Sequence, residues 1–396
     1  MAVTMTTAEQ ALKILYLGVL RDQLNIKTDP FYNKIKSSTK HVVGKEVRQM
    51  APYGVNGGVG AGTETGTLPA AGGNQYKQFV TDTKNLYGTI SISDKSIKAS
   101  ANNSGAFVNL LNQELEGLMK ASKFNLSRML HTDGTGILTL CKANATPGVT
   151  LEVASTKYLI EGMTVDIRDT DGDIVTGGGA RRVLSVNRSD NEITISGANI
   201  TTGATDLISV QGSYGLELTG FDEIFKTTGD LYGVARATNH WMVPYMQATT
   251  GIISDIKIRK AIDYQEEIMG AEVDYLLGTS GVVRSYYEYL EATKRNVNTL
   301  DLQGGFKAIG FAGIPMVSSR FAKDGTLKLL SSKDFTMHHM GDWEWMEGGN
   351  GRILQQVAST PVWTATLVKY AELVCSHPGG QAELQGITED DGIDES

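Results

Sequence analysis

Cysteine is nearly absent from this chain: two in 396 residues, Cys141 and Cys375. Neither belongs to a C-x-x-C pair, and the six histidines supply no spaced partners. A disulfide framework is excluded, no metal site is expected, and two buried thiols are the simplest reading. Proline is scarce at 8, which leaves no stiff proline-rich linker between parts of the chain. No apolar run reaches 18 residues, so no membrane-spanning helix is expected. Basic residues do not exceed acidic ones. A net charge of −8 argues against a protein whose work is gripping a phosphate backbone, although not against one that lives beside nucleic acid. The N-terminal MAVTMTTAEQALKILYLGVL has no basic stretch before its apolar run, and Lys13 interrupts that run. It reads as a short amphipathic helix, not a secretory signal.

Glycine, by contrast, is abundant at 45 residues, which implies many turns and bulges. The length suggests two or three lobes. Apolar spacing predicts a helix over residues 7–24. Gly54 to Gln75 is dominated by Gly, Ala and Thr and cannot bury enough surface to order itself. It is either a flexible linker or an extended arm ordered by neighbouring subunits. The segment after it, YKQFVTDTKNLYGTISIS, alternates at period 2 through Phe79, Leu86, Ile90 and Ile92 and predicts strand. The glycine-rich stretch therefore lies between two strand-like segments, as in a long two-stranded loop.

Residues 106–131 carry the clearest helical stripe, from Phe107 through Leu110, Leu111 and Leu118 to Leu130, with Ser104 as N-cap. Such a helix would be on the order of 40 Å long. Residues 145–213 hold short β runs separated by DTDGD, TGGG and NRSDN, which predicts a compact antiparallel sheet or barrel. Residues 214–385 alternate strands with helices at TTGIISDIKIRKAIDYQEEIMG and VVRSYYEYLEATKR, which predicts an α+β lobe with a central sheet. Gly270 should stop the first of these helices. ITEDDGIDES carries five acids and no base and is expected to be a disordered tail.

Several segments resemble chemical motifs and fail on detail. HTDGTG, from His131, would need its glycines before a helix to cradle phosphate. They follow one instead, so Gly134 and Gly136 read as a helix stop with positive φ, and His131 as a partner of the helix dipole. DTDGDIVTGGG has carboxylates at Asp169, Asp171 and Asp173 but Ile174 and Ala180 where a calcium loop needs Gly and Glu, so it reads as a β-turn. GVGAGTETG lacks the P-loop lysine and a following helix. His338 and His339 are adjacent and point apart in a strand. Trp343 and Trp345 read as core aromatics rather than a sugar platform. No catalytic residue, metal ligand or cofactor is expected.

Taken in order, the parts resemble the major capsid proteins of tailed bacteriophages, the Hong Kong 97 fold. FNLSRMLHTDGTGIL resembles the end of that family's spine helix, and LIEGMTVDI the opening of a β-rich insert found in some members. GLELTGFDEIF and GDLYGVARATNHWMVP resemble the crossing into the axial lobe, and IGFAGIPMVSSRF its strand–turn–strand. The resemblance covers nearly the whole chain. It implies an α+β, Hong Kong 97-like fold with an N-arm at residues 1–45 and an E-loop at 46–96. A peripheral domain would take 97–145 plus a late return strand, and an inserted β-rich domain 146–213, on the outer surface. An axial domain would take 214–370, and a C-terminal segment 371–396.

The function implied is structural: self-assembly through hexamers and pentamers into an icosahedral head, assembled in the host cytoplasm, that encloses DNA without binding it tightly. The implied partners are copies of itself, a portal, decoration proteins and a separate scaffolding protein. The last is expected because the chain reaches its E-loop by about residue 50, leaving no room for a scaffolding segment. Tyr53, Leu68, Tyr76 and Phe79 are the expected inter-subunit contacts of the E-loop. Lys77 and Lys84 lie in or near it, but no crosslink partner can be named. The alternatives are an encapsulin-like cargo compartment and, from another class, a carbohydrate-binding module or enzyme.

Overall fold

The computed structural model describes residues 29–95, 117, 118, 121, 122, 124–144, 146–248, 250–293, 299–301, 307–347, 351 and 353–389. The helix expected at 7–24 and most of the one expected at 106–131 fall outside these residues.

Along the chain, β1 (Lys36–Ser38) precedes β2 (Val42–Val43), β3 (Glu46–Gly54), β4 (Gln75–Asp82) and β5 (Lys84–Ser93). The described residues of the long helix end at His131. Then come β6 (Ile137–Leu140), β7 (Thr150–Glu152), β8 (Thr164–Arg168), β9 (Arg181–Asn187), β10 (Glu192–Ile195) and β11 (Leu207–Val210). Next are α1 (Phe221–Ile224), β12 (Asp230–Leu231), β13 (Val234–Ala235), β14 (Tyr245–Gln247) and α2 (Asp255–Tyr264), which runs into a π-helical turn, Gln265–Met269. β15 (Tyr275–Gly278), α3 (Ser280–Ala292), β16 (Thr299–Asp301), β17 (Lys307–Phe311), β18 (Ile314–Ser318) and β19 (Leu327–Leu330) follow. The chain closes with β20 (Phe335–His339), β21 (Glu344–Trp345), β22 (Gln355–Gln356), β23 (Val362–Cys375) and β24 (Ala382–Leu384).

β23 is the seam of the first sheet. Its 14 residues pair with β5 from Val362–Ser93 to Ala371–Lys84, and on the other side with β20, which in turn carries β1. The alternation read in GTISIS is real: Leu86, Gly88, Ile90 and Ile92 face inward and the residues between them face out. β3 and β4 form a separate hairpin sheet with β2. The stretch 46–96 therefore divides after Asp82, because β5 spends its backbone hydrogen bonds on β23 and not on the hairpin.

The segment expected to be an insert closes on itself. Its strands run β6-β11-β8-β9-β10-β7, all antiparallel, and an antiparallel bridge between Cys141 and Val153 joins the last strand to the first. The result is a six-stranded barrel filled by Leu151, Val165, Ile167, Ile193 and Ile208, with the Cys141 thiol buried among them. The barrel starts at Ile137, earlier than the expected boundary at 146, because β6 pairs with β11.

The third large sheet, β14-β24-β19-β15-β18-β17-β16, is covered by α2 and α3. Gly270 ends the π-helical turn at φ +64, where an L side chain would be strained. The span 214–370 does not stay in one unit, since β20–β22 join the β23 sheet. The C-terminal stretch is also not wholly a loose acidic tail. Ile387 is buried and bridges Gly251, and Glu389 accepts a 2.6 Å hydrogen bond from the Thr279 hydroxyl, the N-cap of α3. An apolar side chain and a capping carboxylate supply what a purely acidic segment lacks.

Candidate functional site

The helix ending at His131 stops as a bundle of close backbone approaches. Gly134 and Gly136 have φ +84 and +78. A Cβ on Gly136 would lie 2.7 Å from the Ser213 carbonyl oxygen, and one on Gly134 3.0 Å from that of Leu218. On the returning chain Gly220 lies against the helix's terminal carbonyls, with room for no Cβ beside the oxygens of Met129 and Thr132. Thr135 donates from its backbone N–H and hydroxyl to Asp133 Oδ1, closing the turn. Both crossings between barrel and body thus run side by side.

His131 does more than complement a helix dipole. It is buried, and its Nε2 lies 3.0 Å from Asp29 Oδ2 and 3.3 Å from Ser319 Oγ. The Ser319 hydroxyl donates to the same Asp29 oxygen, and the Phe31 amide donates to the other. Burial alone would raise the Asp29 pKa, but the facing His131 and these hydrogen bonds hold it below the ordinary carboxylate range. The set has the membership of a hydrolase triad without its order. Serine and aspartate both reach Nε2, while Nδ1 has no partner among the described residues. A relay needs them on opposite nitrogens. The cluster is a clamp between the N-terminal side, the helix end and β18. Sequence reading paired His131 with nothing because Asp29 and Ser319 lie far along the chain.

Two more buried groups fix the crossing. Arg128 grips Glu217 with two bonds, 2.8 and 2.5 Å, both side chains excluded from water. Glu372, on β23, accepts from the Thr219 amide at 2.8 Å. Burial pushes its pKa up to about 7, the hydrogen bonds from Thr219 only partly offsetting the loss of solvent.

The residues expected to meet neighbours separate into two kinds. Leu68 is 87% exposed, Tyr76 52% and Tyr53 39%, on a hairpin whose connecting residues 55–74 are exposed almost throughout. Phe79 is only 1% exposed. Its ring packs on Tyr232 and Trp241, so it holds the hairpin's base to the body and has no surface left for another chain. Tyr53 stacks on Trp241 at 5.5 Å from the outer side. The strand period placed Phe79 on an inner face, and the inner face belongs to this chain's own core.

Elsewhere the remaining motifs are structural. Asp169 Oδ1 accepts from the amides of Asp171 and Asp173, an Asx turn. Trp343 and Trp345 are buried, the first under the Lys369 ammonium. His338 Nδ1 lies 2.9 Å from the Lys40 carbonyl.

This mixed α+β topology, with its hairpin, the helix ending at His131 and the sheet carrying α2 and α3, is similar to a phage capsid fold. No protein-family model and no curated protein matches the chain. Among solved structures it is similar to the capsid chain of cyanophage A-1(L), with a TM-score of 0.53 over 93% of this chain and 92% of that one, at 11% identity. The SrpI encapsulin of Synechococcus elongatus PCC 7942 aligns at a TM-score of 0.48 and 8% identity, over 92% and 89% of the two chains. The capsid of the Myoviridae phage XM1 aligns at 0.47 and 10%, over 91% and 93%.

Proposed function

We propose that this chain is the major capsid protein of a tailed bacteriophage, assembling as hexamers and pentamers into an icosahedral head around double-stranded DNA. The observation that carries the proposal is the likeness to the cyanophage capsid chain over nearly the full length of both. The physical chemistry agrees. Residues 55–74 expose Val55, Val59 and Leu68 on an arm with no core of its own, which suits a segment that completes its burial on a neighbour. A ring of such subunits needs heterologous contacts whose rotation closes. A net charge of −8 suits a container that must not hold its contents tightly.

In this reading the hairpin β3–β4 is the arm that overlaps the next subunit, and the barrel lies on the outer surface. The sheet carrying α2 and α3 faces the symmetry axes. A scaffolding protein, a portal and decoration proteins are the partners, and the virion is the location. The test is expression with and without the cognate scaffolding protein, followed by electron microscopy and sedimentation. Closed shells are expected. Monomers under every condition would overturn the proposal, and shells filled with an enzyme rather than DNA would replace it with a cargo compartment.

A further inference from the structure

The loop between β18 and β19, residues 319–326, touches four other parts of the subunit. Its first residue, Ser319, donates to Asp29 and meets His131, as described above. The next, Arg320, lies 5.1 Å from the rings of both Phe124, on the long helix, and Phe321. Phe321 is buried against Phe124 (5.2 Å) and stacks on Tyr158 of the barrel, whose hydroxyl donates to the Phe321 carbonyl at 3.0 Å. Lys157, also of the barrel, donates to the Ala322 carbonyl and pairs with Asp324 at 2.5 Å. At the far end, the Gly325 amide donates to Glu389, and its carbonyl accepts from the Ile387 amide at 2.9 Å. Eight residues thus carry contacts to the N-terminal side, the long helix, the barrel, the C-terminal segment and the sheet they join.

We propose that this loop is a coupling element: the seating of the barrel and the clamp on Asp29 are one conformational equilibrium, transmitted through residues 319–324. The physical basis is that packed aromatic rings and buried hydrogen bonds resist small displacements. A shift of Ala322 that follows loss of Lys157 is then passed to Ser319 through the buried Phe321 and Ala322, the exposed residues of the loop carrying none of it. Lys157 makes no contact with Asp29 or His131, and its removal leaves the barrel's other link to the helix end, the crossing at Gly134 and Gly136, in place. The inference concerns the subunit alone and does not depend on what the shell encloses.

The experiment is hydrogen–deuterium exchange on the full-length subunit. Lys157→Ala is compared with wild type and with Lys142→Ala, which removes a barrel cation that, among the described residues, pairs only with the exposed Glu152. Asp324→Asn cuts the same link from an exposed side chain and serves if Lys157→Ala does not fold. Coupling predicts that exchange at residues 29–35 rises at least about 3-fold in both loop variants and not in Lys142→Ala. A rise confined to residues 155–161 and 320–326, with 29–35 unchanged, would overturn the proposal. So would an equal rise at 29–35 in Lys142→Ala, which would mean that any loosening of the barrel suffices. A failure of the subunit to assemble would bear on the capsid reading and leave this result untouched.

Discussion

His131 and Ser319 are 188 residues apart and meet at 3.3 Å over one carboxylate oxygen, that of Asp29. The contact ties a helix end to the close of a strand in another sheet. It also makes the N-terminal side of the described chain part of the core, since Phe31, two residues on, packs against Phe221, Tyr275 and Phe335.

Asp29→Asn should cost about 2–4 kcal/mol at neutral pH, because it removes a buried charge and leaves His131 facing an amide. Asp29 is held below its unfolded pKa, so its contribution is present above the ordinary carboxylate range and is lost as pH falls through the lowered value. Urea unfolding should therefore separate wild type and variant at pH 7 and bring them together in strong acid. Equal midpoints at pH 7 would show that the clamp contributes nothing.

Glu372 acts in the opposite sense. Its pKa is raised from 4.5 to about 7, so the folded state favours the protonated form. Its stabilising effect is complete below about 4.5 and is lost as pH rises through 7, a swing of about 3 kcal/mol at most. Glu372→Gln should flatten the dependence of the urea midpoint on pH between 5 and 8. A variant as pH-dependent as wild type would reassign that dependence to other groups.

Gly136→Val should destabilise the subunit by about 1–3 kcal/mol, with Gly134→Val somewhat milder, since both need positive φ and the Gly136 Cβ has less room. Thermal unfolding measures this directly. Particle yield unchanged in both variants would show that the helix stop tolerates strain.

Phe79→Ala and Tyr76→Ala should part company. The first empties a core position and should cost about 3–5 kcal/mol in the isolated subunit. The second should leave the subunit's stability within about 0.5 kcal/mol and lower assembly yield. Denaturation of monomers set beside sedimentation of assembly mixtures distinguishes them, and the reverse pattern would contradict the burial described above.

Limited proteolysis should cut residues 54–75 quickly in free subunits and slowly in shells, because the arm's exposed Val55, Val59 and Leu68 would be covered there. Equal rates in the two states would remove the arm from the inter-subunit contacts.

Local structure was readable in the sequence wherever it had local causes. GTISIS alternates because one face of β5 is buried, and QEEIMG ends at Gly270 because the chain turns left-handed there. The glycines after His131 were readable as a stop, and the short runs of 145–213 as a compact antiparallel sheet or barrel. Partnership was not. Nothing in LYGTISIS says that its mate is PVWTATLVKYA, some 270 residues on, because strand period records which face is buried and not against what. The same limit hid the His131 cluster. A histidine beside Asp133 invites a local pair, but Asp133 is taken up by Thr135 and the real partners come from Asp29 and Ser319. Phe79 shows the limit from the other side. Its inward face was correctly legible, and the owner of that interior was not.

The barrel leaves the body through two strands, β6 and β11, that are hydrogen-bonded neighbours, so its entry and exit lie about 5 Å apart. A socket this narrow asks of what is plugged into it a pair of adjacent antiparallel ends and a seat on the 319–324 loop. The glycine-lined crossing at 134, 136 and 220 sets the approach of the two ends, while the loops away from Lys157 and Tyr158 are free to change. At this position evolution or an engineer can exchange a whole module, provided that these backbone approaches and the contacts of Lys157 and Tyr158 with the 319–324 loop are kept.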